Sequence, residues 1–228
     1  GGWFSGKMDY FENNLELVKK NEELPDQVDE LTVENTQLLQ DREELNSLRD
    51  IYELDHKYES YEKVGARVIA KEDGSNWFSN FTINKGTLDG LSVDMNVLAG
   101  AGLVGSTTDL GPTWSTVRTI IDDDSNVSAE ITETDDTCIV AGDLSLVDDG
   151  KIRLVKLNDP KSKAKTGDEV VTSHISDKFL PGILIGYITE VGIDANNLTC
   201  SGYISPVVDF KDIKEVIVIK NLKEKTDQ

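Results

Sequence analysis

The sequence predicts a mainly β protein: an N-terminal coiled-coil helix followed by two small six-stranded-type β-barrel subdomains. Three observations carry that prediction. A seven-residue leucine ladder is confined to the first quarter of the chain. At Val64-Gly65 the texture changes to short β-rich runs broken by Gly, Asn and Asp. An internal glycine pattern then recurs about 80 residues apart.

The helix comes first. Leu17, Leu24, Leu31, Leu38, Leu45 and Tyr52 are spaced by seven, and Val28 follows Leu24 by four. This is the d-position ladder of a heptad repeat with Val28 at a. The other a positions are polar (Asn21, Asn35, Arg42, Arg49), and a buried Asn35 would fix register and strand number at a cost in stability. Glu34 and Asp41 at g face no basic e residue, so apolar contact alone drives pairing. Pro25 interrupts a continuous helix but is tolerated in a first turn. The firm helix is therefore expected over 25–57. The predicted dimer seam is Leu17, Leu24, Val28, Leu31, Asn35, Leu38, Leu45 and Tyr52; the alternative is a helix packed only on its own chain.

Behind the helix, strands are expected over 66–70, 80–84, 93–98, 103–109, 116–121, 127–131, 152–157, 169–173, 183–190, 198–204 and 215–219. The internal repeat orders them. Gly102-Leu103-Val104-Gly105 is followed at the same interval by Gly111 as Gly182-Ile183-Leu184-Ile185-Gly186 is by Gly192. Gly90 and Gly167 open the strand before each copy. Bulges and tight corners of small barrels call for such residues, so Gly86, Gly90, Gly102, Gly105, Gly111, Gly182, Gly186 and Gly192 are the predicted structural glycines. The expected domains are 1–63 for the helix, 64–150 and 151–221 for the barrels, the last strand being able to return to the first barrel, and 222–228 as a disordered tail.

Charge narrows the partners. The formal net charge is -20, and residues 1–63 carry 17 acidic against 7 basic side chains. Phosphate binding needs clustered Lys and Arg, so nucleic acid and anionic lipid surfaces are disfavoured. No apolar run is long enough to span a membrane. The opening Gly1-Gly2-Trp3-Phe4 lacks the basic flank and apolar core of a signal peptide, which leaves room for an anchor upstream of it.

Catalytic inventory is thin. The only histidines are His56 and His174, and no Gly-x-Ser-x-Gly elbow occurs. Double β-barrels invite a Ser-His-Asp test, for which His174 in Ser173-His174-Ile175-Ser176 is the sole candidate. Consecutive acids Asp122-Asp123-Asp124 point in different directions and fit a solvated turn better than a calcium loop. Cys138 and Cys200 could form one bridge or stay as small buried residues. No metal or cofactor is expected. Aromatic residues in turn-rich places, Trp77, Phe78 and Phe81 with Phe179 and Leu180, are the candidate partner surface, with core burial as the alternative.

Taken in order, the coiled helix, Asn76-Trp77-Phe78, Phe81-Thr82-Ile83-Asn84-Lys85-Gly86, Asp89-Gly90-Leu91, Asp94-Met95-Asn96-Val97, Gly102-Leu103-Val104-Gly105, Ile121-Asp122, Ser125-Asn126-Val127, Gly167-Asp168, Val170-Val171-Thr172-Ser173 and Leu180-Pro181-Gly182-Ile183 resemble the rod shape-determining MreC family, in the form typical of Gram-positive bacteria. The likeness extends over most of 25–219. It implies a single-pass membrane protein with this region on the extracytoplasmic side, a dimerising coiled coil, two barrels resembling chymotrypsin-type proteases without their catalytic set, and filament formation. It also implies a scaffold of the cell-elongation machinery that contacts a class B penicillin-binding transpeptidase and MreD, and through them the actin-like MreB. Pro25 in the seam and the missing anchor depart from the family pattern.

The leading expectation is therefore a non-catalytic scaffold that maintains cell shape by self-associating and binding or activating a cell-wall transpeptidase. The alternatives are a cryptic chymotrypsin-like double-barrel hydrolase using His174, and a surface adhesion or receptor stalk.

Overall fold

The computed structural model describes residues 25, 27–46, 48–49, 52, 58–71, 79–158, 163–195 and 198–223. The chain divides into two compact units, Gly1–Leu48 and Arg49–Gln228. In the first, residues 27–46 form helix, about 30 Å at 1.5 Å per residue.

The second unit is built from twelve strands: β1 (Lys63–Lys71), β2 (Asn80–Ile83), β3 (Asn96–Ala99), β4 (Gly102–Leu110), β5 (Ser115–Thr119), β6 (Asn126–Ile131), β7 (Thr137–Ala141), β8 (Ile152–Leu157), β9 (Glu169–Thr172), β10 (Leu184–Ile193), β11 (Cys200–Pro206) and β12 (Glu215–Ile219). They close two antiparallel barrels, in neighbour order β1-β12-β3-β4-β5-β2 and β10-β11-β8-β7-β6-β9. Alternation drives the closure: in β6, Val127, Ala129 and Ile131 point inward, and in β8 Ile152 and Leu154 do the same before a register shift brings Leu157 inward. Closed barrels leave no long strand edge exposed.

The two barrels share one connectivity. Starting barrel 2 at β6 and barrel 1 at β12, each strand meets the same neighbours in the same order. Barrel 1 is thus a circular shift of barrel 2, with its leading strand supplied by the C-terminus. Under this correspondence β4 matches β10, the pair that carries the repeated glycines.

Two sequence-based boundaries move accordingly. The second barrel begins at β6, so β6 and β7 do not belong to a first subdomain ending at 150. The repeat marks the middle of each barrel and could not show where the second one starts. At the other end, β12 inserts between β1 and β3, pairing Lys63 with Ile219 and Ile217 with Leu98. Residues 222–223 of the expected tail are placed, with Lys223 Nζ donating to the His174 carbonyl at 2.9 Å, while 224–228 lie outside the described residues. Tyr58, assigned from sequence to the helical segment, is buried in the barrel core.

The predicted structural glycines fall into groups. A Cβ on Gly86, Gly102, Gly105, Gly111 or Gly186 would overlap neighbouring atoms; at Gly105 the obstacle is the Arg118 carbonyl on the adjacent strand. Gly90 and Gly182 adopt positive φ, +86° and +76°, which L side chains rarely tolerate. Gly192 meets neither condition, since nothing lies within 4 Å of its Cβ position. Replacing Gly105 by Ala is expected to destabilise barrel 1 by roughly 1–3 kcal/mol through forced backbone displacement, whereas Gly192→Ala should be near neutral. Urea denaturation of both variants checks the contrast.

Candidate functional site

The joint between the barrels is organised by one buried amide. Asn96, at the start of β3, is 1% exposed. Its Oδ1 accepts the Leu180 N–H at 2.8 Å and its Nδ2 donates to the Lys178 carbonyl at 3.2 Å, both in the β9–β10 loop of the other barrel. Beside it Lys178 Nζ sits 3.3 Å from Asp94, a half-exposed pair that adds little. Gly102 permits the next approach: a Cβ there would lie 2.7 Å from the Leu184 carbonyl and overlap the Val207 side chain.

The crossover from barrel 1 to barrel 2 is fastened at both ends. The Asp122 carboxylate accepts the Ser79 hydroxyl and the Asp124 N–H, and Asp123 accepts the Leu144 N–H at 2.8 Å. Asp122 and Asp123 therefore serve as backbone and side-chain acceptors. Among the described residues no cluster of three His, Cys, Asp or Glu is placed to hold a metal ion.

The candidate partner surface does not survive intact. Phe81, Phe179 and Leu180 are 5%, 5% and 7% exposed and belong to the core. Phe81 occupies an inward position of β2. The loop carrying Phe179 and Leu180 folds under the joint, where Ser176 Oγ accepts the Phe179 N–H at 3.0 Å. Trp77 and Phe78 lie outside the described residues. Exposed apolar groups occur elsewhere. On barrel 1, Leu88 and Trp114 stand out on two interlocked loops, joined by the Leu88 N–H to the Pro112 carbonyl at 3.0 Å. Close by, the hydrogen bond from Lys85 holds the Asp89 carboxyl below its usual pKa. On barrel 2, Ile193 and Leu198 flank the β10–β11 turn. A lone exposed side chain has no periodicity, so the sequence carries no signal for these.

The helix presents its seam openly. Val28, Leu31, Leu38, Leu45 and Tyr52 are each half or more exposed, and Asn35 is exposed as well. Leu17 and Leu24 fall outside the described residues. The described part of the helix thus exposes a continuous apolar stripe and buries almost no face of its own.

His174 forms a contact that resembles part of a triad. Its Nδ1 lies 3.2 Å from Glu130 Oε2, and Ser173 Oγ donates to the same oxygen at 2.9 Å. In a catalytic triad the serine would hydrogen-bond the imidazole, and its oxygen would face substrate. Here Ser173 is fully buried and spends its proton on the carboxylate. The set tethers the β9–β10 loop to β6.

Cys138 and Cys200 are both buried free thiols. Burial, reinforced by the Glu130 carboxylate, pushes the Cys138 thiol up to about 12. No described helix is long and apolar enough to cross a membrane.

Tandem six-stranded barrels of shifted but equal connectivity, joined through a buried amide and preceded by a leucine-seamed helix, define a double-barrel protein class. Within that class the chain belongs to the MreC family of cell shape-determining proteins: the family description "Rod shape-determining protein MreC, barrel core" matches residues 68–220. The cell shape-determining protein MreC of Listeria monocytogenes is 29% identical over 225 residues, covering 97% of this chain and 75% of that protein. A solved Listeria MreC structure, 30% identical, superposes with a TM-score of 0.66 over 84% of this chain and 95% of that one. The fold is also shared with MreC of Helicobacter pylori, solved as a complex with the penicillin-binding protein PBP2, at a TM-score of 0.53 and 11% identity, over 70% of this chain and 100% of that one.

Two outcomes follow from the joint and the thiol. Asn96→Ala strands the Leu180 N–H in the interior and is expected to cost about 1–3 kcal/mol in urea unfolding. The native Cys138 thiol should resist a thiol-specific reagent at pH 8 and react once the protein is unfolded. Above the ordinary value of 9.0 the unfolded thiol loses a proton that the folded one keeps, so this residue's effect is to lower stability as pH rises from about 9 towards 12. A Cys138→Ala variant isolates that loss in alkaline melts.

Proposed function

We propose that this chain is the extracytoplasmic portion of a non-catalytic scaffold in the bacterial cell-elongation machinery. It is anchored by a single membrane span upstream, pairs with a second copy through the helix, and presents its barrels to a cell-wall transpeptidase. The observation that carries the reading is the exposed apolar ladder Val28, Leu31, Leu38, Leu45 and Tyr52 on a helix that buries little else. Family membership and the Helicobacter MreC–PBP2 complex support the transpeptidase as the partner class. Contacts with MreD, and through it with MreB, complete the proposed assembly.

The proposed mechanism uses position, not bond-making. A scaffold that binds the active arrangement of its partner more tightly than the inactive one shifts the population by that difference in affinity. A dimer holds two such sites at once and raises the effective concentration of the second. No cofactor and no nucleic acid enters.

The dimer is tested by replacing Leu31 and Leu38 with Asp. Each buried Leu contributes roughly 1.5–3 kcal/mol, and a buried unpaired carboxylate adds a penalty. Sedimentation equilibrium should show dimerisation weakened at least about a hundredfold, with the β-sheet circular dichroism and the barrel melt unchanged. A variant that keeps the wild-type mass would defeat the seam. Co-purification of a class B transpeptidase by the wild-type chain, weakened in the double variant, supports the partner; equal capture of an unrelated surface ligand would favour the adhesion reading.

A further inference from the structure

The circular shift between the barrels makes their dependence on one another unequal. All six strands of barrel 2 lie in the single stretch from β6 to β11, whereas barrel 1 takes five strands from 63–119 and its sixth from 215–219. We propose that barrel 2 is the self-sufficient unit, and that barrel 1 exists only while barrel 2 delivers β12 to it, so that β12 works as a latch and barrel 1 opens before barrel 2.

β12 fills a slot, with β1 on one side and β3 on the other. Val216, Ile217, Val218 and Ile219 are all buried, at 1%, 4%, 0% and 0% exposure. Removing the strand opens the wall of barrel 1, leaves β1 and β3 with unpaired edges, and wets the core. Nothing equivalent holds in reverse, because no strand of barrel 2 pairs with barrel 1. What barrel 2 loses with barrel 1 is the Asn96, Lys178–Asp94 and Lys223–His174 contacts, the Gly102 face and the packing of Tyr58, none of them a strand pairing.

Barrel 2 holds the ends that the latch needs. On the entry side the Asp123–Leu144 hydrogen bond and the bond from the Gly142 N–H to the Ser125 carbonyl at 2.9 Å fix the crossover. On the exit side the Val207 N–H donates to the Ile185 carbonyl at 3.1 Å and Lys211 pairs with Asp148 at 2.8 Å. With barrel 2 folded, β12 therefore arrives beside β1 with most of the loop-closure entropy already spent. With barrel 2 unfolded, the whole stretch 120–214 becomes a flexible loop that barrel 1 must close by itself.

Past the strand the latch is buckled. The Lys220 N–H donates to the Glu62 carbonyl at 2.8 Å, the Glu62 N–H donates to Asn221 Oδ1 at 2.8 Å, and Lys223 reaches the His174 carbonyl in barrel 2. Residues 206–211 border a cleft of about 350 Å³ whose walls include Val147, Val208 and Phe210. Anything that grips or frees this segment sets whether barrel 1 is closed, leaving barrel 2 as the fixed reference.

Amide hydrogen exchange read by mass spectrometry on the full chain tests that order of opening. In the wild type, low urea should raise exchange in β1–β5 and β12 before β6–β11. Val218→Asp should abolish protection in barrel 1 and leave barrel 2 protected, whereas Ile204→Asp, in β11, should abolish protection in both. In the milder variants Val218→Ala should accelerate both barrels at least tenfold, because barrel 2 amides exchange only from the fully unfolded chain, and Ile204→Ala should accelerate barrel 2 while barrel 1 stays within threefold of wild type. Loss of barrel 2 protection in Val218→Asp, or a barrel 1 that stays protected in Ile204→Asp, would overturn the proposal.

Discussion

One side-chain amide, that of Asn96, fixes the relation of the two barrels. It sits where β3 of barrel 1 meets the β9–β10 loop of barrel 2, fully removed from water, and satisfies one donor and one acceptor across the joint. A buried amide is expensive unless its partners are in place. The contact therefore tolerates one arrangement and penalises sliding. Apolar packing around Gly102 supplies attraction at the same joint, and the amide supplies its registry.

That division of labour explains where aromatic residues went. Phe179 and Leu180 lie in the loop that Asn96 holds, so they are spent on rigidity and are closed to an outside partner. What remains exposed on the barrels is scattered: Ile69, Leu88, Val93 and Trp114 on one, Ile175, Tyr187, Ile193 and Leu198 on the other. Separate small apolar spots on a stiff body suit a part that holds partners at set spacing. The same economy accounts for the Glu130, Ser173 and His174 contacts, which have the makings of chemistry but are committed to anchoring a loop.

Legibility in the sequence followed the range of each signal. The leucine ladder has a period fixed by the helix itself, so the stripe from Val28 to Tyr52 could be read without knowing its surroundings. Strands with inward alternation, such as β6 and β8, were legible for the same reason. β7 escaped notice because Thr137-Cys138-Ile139-Val140-Ala141 follows an acidic turn and shows no clean alternation. The domain border was misplaced because a glycine repeat reports local corners, while barrel membership depends on pairings as distant as Lys63 with Ile219. Loop aromatics were ambiguous in principle: Phe81 or Phe179 beside a turn has the same local sequence whether it faces a core or a partner. Gly192 matched the repeat by position yet has open space around it.

The proposed scaffold role asks for a body that keeps two surfaces at one separation, and Asn96 is placed to enforce that. The direct measurement is double electron–electron resonance between spin labels on Leu88→Cys and Leu198→Cys, one on each barrel. Buried Cys138 and Cys200 leave the added thiols as the reactive sites. A single narrow distance distribution, broadened when Asn96 is replaced by Ala, is the predicted result. A broad or multi-peaked distribution in the wild-type background would show that the barrels move independently, and the account would fail.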